Sequence, residues 1–138
     1  MKFLIDTNVL LDMALERNEN HEAAGQLIKS IIQKKNEGFV TSHSVCDFFY
    51  IVRKDYSLEE KKNWIDFITN AFTILTEDKD DFVNSIKKEF FADLEDQLQM
   101  ECAEKAELDF IVTSNLKDFS HSAVAAISVR DACEKNST

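Results

Sequence analysis

Lys2-Phe3-Leu4-Ile5-Asp6-Thr7-Asn8-Val9-Leu10-Leu11-Asp12 begins with a short apolar run, halts it at a carboxylate and passes directly into helical spacing. Lys2–Ile5 is too short to be a helix by itself and reads as a buried strand. From Thr7 onward, Leu10, Leu11 and Ala14 recur at steps that place them on one helix face. A strand that leads straight into a helix is the first half of a βα unit, because a parallel neighbour can be reached only through such a crossover.

The rest of the chain repeats the pattern. Ala23, Leu27, Ile28, Ile31 and Ile32 predict a longer helix in a segment ending near Gly38, and Phe39-Val40-Thr41 is a second β-type run. Ser42 and Ser44 are candidate N-caps for an aromatic-rich helix through Lys54. Ser57-Leu58-Glu59-Glu60 has the spacing of a capping box, which starts a helix running to about Ala71. Phe72–Leu75 predicts a third strand and the segment from Asp78 to Phe90 a helix. Leu94, Leu98, Cys102 and Ala106 predict another helix from Asp93. Asp109–Thr113 predicts a fourth strand, Ala126–Val129 an edge strand, and Asp131–Lys135 a short terminal helix. The alternation predicts an α/β three-layer sandwich, a mainly parallel central sheet flanked by helices. With no repeat, low-complexity tract or linker, residues 1–138 read as a single domain.

Composition narrows the class. Sixteen Lys and Arg against 26 Asp and Glu leave a net charge of −10. A 44% hydrophobic content with eleven Phe supplies a core, which excludes an acidic disordered tail. Zero Pro and two Gly argue against a turn-dense all-β or collagenous chain. Apolar runs fall well short of the roughly 20 residues that cross a bilayer, and Asp6 interrupts what would be a signal peptide's apolar segment. Cys46, Cys102 and Cys133 are odd in number and widely spaced, so they read as small buried hydrophobes in a reducing cytoplasm. The acidic balance disfavours broad, unassisted binding to a nucleic-acid backbone. A local basic strip or bound divalent cations would reverse that locally.

Ligands of open parallel sheets bind beyond the carboxyl ends of the strands, and carboxylates gather there. Asp6 closes the first strand, Asp47 lies early in the helix after the second, and Asp118 follows Val112-Thr113. Asp93 and Asp96 open a helix together, Asp93 as N-cap and Asp96 at the third helical position. Clustered carboxylates repel unless a cation neutralises them. Oxygen ligands imply Mg²⁺ or Mn²⁺, and the scattered His21, His43 and His121 make zinc a poor candidate. A divalent ion on a few carboxylates and several waters suits phosphodiester hydrolysis.

Phe3 to Asp12 resembles the opening signature of the PIN-domain family. Leu94-Glu95-Asp96-Gln97-Leu98-Gln99 and Asp109-Phe110-Ile111-Val112-Thr113-Ser114-Asn115-Leu116-Lys117-Asp118-Phe119 are similar in order and spacing to its C-terminal half. The resemblance covers nearly the whole chain, least diagnostically between about Ser57 and Phe90. It implies a Mg²⁺- or Mn²⁺-dependent ribonuclease on a parallel sheet, often the toxin of a bacterial toxin–antitoxin pair and often a homodimer. By position Asp6, Asp47 and Asp96 match the first three metal-binding carboxylates, although many members carry Glu at the second. Many members have Asp where this chain has Asn115, and the resemblance leaves Asp118, three residues later, either to substitute for it or to bind the ion through water. Asn8 matches a polar residue that steadies the first carboxylate, and Thr113 or Ser114 would orient water or phosphate. Arg53, Lys54 and Lys117 are the candidates for substrate phosphate, Lys54 because it falls seven residues after Asp47 on nearly the same helix face.

Each of these residues also has an ordinary role open to it. Asp93 and Asp6 fit N-caps, Asp47 a solvated helix position, and Asp118 a turn residue. Thr7, Thr113 and Ser114 fit turn hydroxyls, and Phe48-Phe49-Tyr50 fits core or dimer interface better than a base-stacking platform. Three other readings compete with the nuclease. One is a catalytically weakened PIN-like protein-binding module, motivated by Asn115 and the acidic surface. A haloacid-dehalogenase-type phosphatase needs a second Asp where Asn8 stands. A receiver domain expects an acidic pair where Leu4-Ile5 precedes a single Asp.

Overall fold

The first strand, β1 (Lys2–Ile5), sorts the core by simple alternation, because successive side chains leave a strand on opposite faces. Phe3 and Ile5 enter one apolar cluster and Leu4 the other, all three fully buried. In this computed structural model, which describes residues 1–135, β1 is the middle strand of a five-stranded parallel sheet. The other strands are β2 (Glu37–Thr41), β3 (Thr73–Leu75), β4 (Phe110–Val112) and β5 (Ala126–Ile127), in the order β3-β2-β1-β4-β5. Ile5 lies opposite Val112 in register, so the two chains leave the sheet side by side as Asp6 and Thr113.

Seven helices cover the sheet: α1 (Thr7–Ala14), α2 (His21–Ile32), α3 (Ser42–Ile51), α4 (Leu58–Ala71), α5 (Lys79–Ile86), α6 (Leu94–Lys105) and α7 (Val129–Glu134). Leu10 of α1, Leu27 of α2, Phe48 of α3, Ile68 of α4 and Ala132 of α7 pack with Phe3, Ile5, Val40 and Val112 on one face. Ala103 of α6 packs on the opposite face with Leu4, Ile111, Leu108 and Phe119. Lys105 of α6 reaches Asp81 of α5 at 2.7 Å, tying α5 to that outer layer. The three-layer α/β sandwich expected from the sequence is the observed fold.

The differences from the sequence reading lie at element ends and have local causes. Thr41, the last residue of β2, caps α3 by accepting from the Ser44 backbone N–H at 3.3 Å, so neither Ser42 nor Ser44 is the cap. The α-winding of α3 stops at Ile51, and Val52–Lys54 is a 3-10 turn. α5 ends at Ile86 rather than near Phe90, where Lys87 and Lys88 turn back to the carbonyls three residues before them. Ser128 caps α7, so Val129 belongs to that helix and not to β5. The capping box at Ser57 and Glu60 forms on α4 as the spacing predicts. Cys102 is buried, but Cys46 is exposed on the outer side of α3, contrary to the buried reading of the cysteines.

Strands are added to β1 in opposite directions, β2 and β3 on one side and β4 and β5 on the other. That reversal opens a crevice at the carboxyl ends of β1 and β4, and Asp6 sits in it, its N–H held by the Val112 carbonyl at 3.0 Å.

Candidate active site

Asp6 occupies the backbone position of an N-cap for α1, yet its side chain makes no capping bond. Its carboxylate turns across the crevice instead. Oδ1 accepts from Gln99 Nε2 at 3.0 Å, and Oδ2 accepts from Thr113 Oγ1 at 2.8 Å. Asp6 is 5% exposed, Gln99 2% and Thr113 not at all, so both bonds are shielded from water and each is a charge-assisted bond to a carboxylate. The Thr113 hydroxyl also accepts from the Asn115 backbone N–H at 3.0 Å, which commits its proton to Asp6. Three elements thereby fix one carboxylate: the end of β1, the end of β4 and the first half of α6.

Asp93 caps α6, with Oδ1 accepting from the Asp96 N–H at 2.9 Å. This cap holds Asp96 at the head of the helix, half-buried and facing the crevice. Burial and the negative charges of Asp93, Asp6, Asp118 and Glu95 push the Asp96 carboxyl up to about 7. Asp118 belongs to a 3-10 turn, Leu116–Phe119, anchored by buried Phe119, while Asp118 itself is exposed. Asp6, Asp96 and Asp118 therefore share one electrostatic field although they come from three separate segments.

Asp47 takes a different position. Its side chain hydrogen-bonds Glu95, and Glu95 is held above its ordinary value by burial, by that bond and by the Asp47 charge, with His43 pulling the other way. His43 Nδ1 in turn lies 2.5 Å from Glu77 Oε1, and Ser42 Oγ donates to Glu77 Oε2. Burial works against the charge on Glu77, but the Ser42 and His43 hydrogen bonds outweigh it and keep the carboxyl below its usual range. A second acidic pair, Asp47 and Glu95, thus borders the first cluster, backed by a Ser42–Glu77–His43 network at the end of β2.

The remaining candidates are placed as follows. Asn8 is half-buried in the first turn of α1, and Ser114 and Lys117 are exposed at the crevice's β4 side. Arg53 folds onto Tyr50, its guanidinium 3.7 Å from the ring centre and Nη1 donating to the Tyr50 carbonyl at 2.8 Å. The 3-10 winding at Val52–Lys54 advances about 120° per residue rather than about 100°, which leaves Lys54 roughly 40° around the axis from Asp47, still on nearly the same face. Gln99, Glu95 and the Glu77–His43 pair were not singled out in the sequence. Gln99 had a usable signal, since it stands three residues after Asp96 and so shares its helix face.

The donor set suits a hard divalent cation. Among the described residues no three His, Cys, Asp or Glu side chains converge tightly enough to close a metal shell by themselves. Mg²⁺ and Mn²⁺ do not require that, since Mg²⁺ is usually held by one or two carboxylates and keeps several waters. Burial first and the repulsion of acidic neighbours second lift Asp96, and that repulsion is the kind a cation removes, while the buried Gln99 Oε1, without a partner among the described residues, adds a neutral oxygen beside Asp6. Asp6, Asp96 and Asp118 fit such an ion.

A PIN-domain family model matches residues 2–117, from β1 to the residue before Asp118. Ribonuclease VapC1 of Aquifex aeolicus (strain VF5) is 27% identical over 143 residues, spanning 99% of this chain and 96% of that protein. Among solved structures, VapBC2 from Rickettsia felis bound to a DNA fragment from their promoter aligns with a TM-score of 0.68. It shares 16% identity, over 93% of this chain and 98% of that one. Mycobacterium tuberculosis VapC20, described as a Sarcin-Ricin loop cleaving toxin, aligns at 0.64 with 10% identity over 79% and 86% of the two chains. VapBC-1 from nontypeable Haemophilus influenzae aligns at 0.67 with 13% identity over 94% and 99%. These structural matches carry the fold.

Proposed function

The chain belongs to the PIN-domain family, and from that premise we propose that it is a Mg²⁺- or Mn²⁺-dependent endoribonuclease, the toxin of a toxin–antitoxin pair, working in the cytoplasm. The observation that carries the reading is the gathering of Asp6, Asp96 and Asp118 at one crevice, where burial first and the neighbouring carboxylates second lift Asp96 to about 7. The similarity to Ribonuclease VapC1 over almost the full length of both chains supports the substrate class, and the VapBC assemblies among the structural relatives support an antitoxin partner. A homodimer follows from the family by resemblance. No helix among the described residues is long and apolar enough to cross a membrane.

Asp6 and Asp96 would hold the ion, with Asp118 closing the open side of the crevice. Asp118 takes the part that Asn115 cannot, which favours a nuclease over the weakened binding module. When bound, the cation supplies Lewis acidity and lowers the pKa of a water molecule. The chain's own residues do the rest. Thr113 and Gln99 orient Asp6 so that both of its oxygens are pinned from behind. Asp96 and Asp118 give the field that attracts the cation and, once it is neutralised, allows a phosphodiester to approach. Lys117, exposed beside Asp118, meets the RNA backbone, with Arg53 and Lys54 as outer contacts. Asp47 and Glu95 form a second carboxylate pair at the rim, where Asp47 draws the ion's water shell or a second ion.

The test is cleavage of a mixed RNA pool by wild type and Asp96→Asn, each with Mn²⁺, with Mg²⁺ and with chelator. Cutting by the metal-supplemented wild type alone is the expected result. Cutting that survives chelation or the substitution would overturn the site, and a folded, antitoxin-free wild type that cuts nothing would favour the binding module.

A further inference from the structure

Gln99 carries more than the bond that steadies Asp6. Its side-chain amide is buried, and Nε2 is committed to Asp6 Oδ1 at 3.0 Å. The opposite end of the same amide, Oε1, is buried with no hydrogen-bond partner among the described residues. Turning the amide over would not cure this. It would set Oε1 against the Asp6 carboxylate and remove the donor, exchanging a favourable contact for a repulsive one. The carboxylate therefore fixes which way the amide points, and a fixed, buried acceptor is left in the first half of α6, three residues along the same face from Asp96. Buried acceptors without partners are rare in folded proteins because the lost hydration is not recovered. At a catalytic crevice such an atom usually has a partner that arrives with the ligand.

We propose that Gln99 is a positioning residue whose Oε1 accepts a hydrogen bond from a water molecule of the divalent ion's hydration shell, so that one amide orients both Asp6 and the water beside it. The inference rests on the cation-dependent reading above. Gln99 touches neither the RNA nor the phosphorus in this arrangement. Through Nε2 it sets the direction of Asp6, and through Oε1 it would hold a water of the bound ion by one proton. Thr113, the other side chain hydrogen-bonded to Asp6, already accepts from the Asn115 N–H, whereas the Gln99 carboxamide offers an acceptor without a partner among the described residues and without adding charge to an already acidic crevice. A carboxylate there would deepen the repulsion of the metal-free crevice, which a bound cation would offset, and an alkyl chain would give no acceptor.

The experiment compares Mn²⁺ binding by calorimetry in the full-length wild type, Gln99→Met and Gln99→Glu, with single-turnover RNA cleavage alongside. Gln99→Met removes donor and acceptor at nearly constant volume, whereas Gln99→Glu keeps the shape and the acceptor and loses the amide donor. Outer partners of metal ligands are typically worth 10- to 100-fold in affinity or activity. Gln99→Met should weaken Mn²⁺ binding about tenfold and lower the cleavage rate with little change in RNA binding, while Gln99→Glu stays within about threefold of wild type in Mn²⁺ affinity. Equal losses in the two variants would reduce Gln99 to a prop for Asp6, and unchanged Mn²⁺ affinity in Gln99→Met would remove any role toward the ion. Either result overturns the proposal. If Gln99→Met does not fold, Gln99→Leu makes the same comparison. A wild type that binds no Mn²⁺ would instead defeat the cation-dependent reading itself, so the two failures are told apart in one titration.

Discussion

Replacing Asp96 by Asn should make the metal-free protein more stable at neutral and alkaline pH, although it should also destroy activity. Asp96 titrates at about 7 in the folded protein against an ordinary value of 3.8. Between those values the folded chain binds a proton that the unfolded chain has already released, so stability falls as pH rises through this window. At about 1.36 kcal/mol per pH unit the full span corresponds to about 4 kcal/mol of destabilisation by the ionised group. Asp96 is only half-buried, and solvent screens the charges acting on it, so about 1–2 kcal/mol is the fair expectation. Asn keeps the size and removes the charge. In EDTA at pH 8, Asp96→Asn should therefore melt above wild type by roughly 4–8 °C for a chain of this length. Below pH 3.8, where Asp96 is protonated in the folded and the unfolded chain alike, the two melting curves should converge. Carboxylates outside the crevice titrate alike in both proteins and cancel in the difference. Saturating Mn²⁺ should reverse the order at pH 8, stabilising wild type and leaving the variant nearly unmoved. A wild type at least as stable as the variant in EDTA at pH 8, or a difference that ignores pH, would refute the account of the acidic cluster.

Other expectations follow from the same coordinates. A Cβ at Gly38 would meet Phe72 Cδ1 at 2.6 Å and Ile31 Cδ1 at 2.8 Å, so Gly38→Ala should cost about 1–3 kcal/mol by denaturant titration. RNA cleavage should be unchanged, because Gly38 lies toward the amino end of β2. Ser57→Ala breaks the capping box of α4 and should cost about 1 kcal/mol by the same titration, again without effect on cleavage. Glu77 is held below 4.5 in the fold, so its contribution is present above that pH and is lost as pH falls through the folded value. Glu77→Gln should flatten the acid limb of the stability curve, and an unaltered limb would mean that Ser42 and His43 do not stabilise the charge.

The sheet was legible because the sequence states it in local terms. Lys2–Ile5, Phe39–Thr41 and Phe110–Val112 are apolar runs too short for helices, each next to a helix-period segment, and parallel pairing follows from the crossovers. Register was legible only in part: Ile5 opposite Val112 is what sets Asp6 beside Thr113, and nothing local in either segment states that pairing. Asp6 was legible as a site residue for the same reason that its capping role fails, since a carboxylate immediately past a central strand opens onto the crevice. Asp47 was legible as a candidate too, but its spacing from Ser42 gives only a helix face and not its neighbour on α6, Glu95. Gln99 was hidden by chemistry. A glutamine within a helix is an unremarkable polar residue until the fold buries it and sets a carboxylate 3.0 Å away. Element ends were the weakest part throughout, since whether Thr41 or Ser42 caps α3 depends on where β2 stops, and that is decided by its neighbours in the sheet.

A net charge of −10 is compatible with the proposed nuclease once the charge is divided by place. The crevice carboxylates are the repulsive part, and a bound divalent ion is the element that turns this region from rejecting a phosphate to attracting one. Lys117 stands beside Asp118 in the same 3-10 turn, so the proposed phosphate contact and the open side of the proposed cation site belong to one turn anchored by Phe119. RNA affinity should consequently depend on the cation more steeply than on the few exposed lysines, and salt should weaken it only through those few contacts. The remaining acidity lies outside the crevice and does nothing for RNA. Its natural complement is a basic partner, which is what an antitoxin segment would have to be in order to hold this surface and cover Asp96 at the same time.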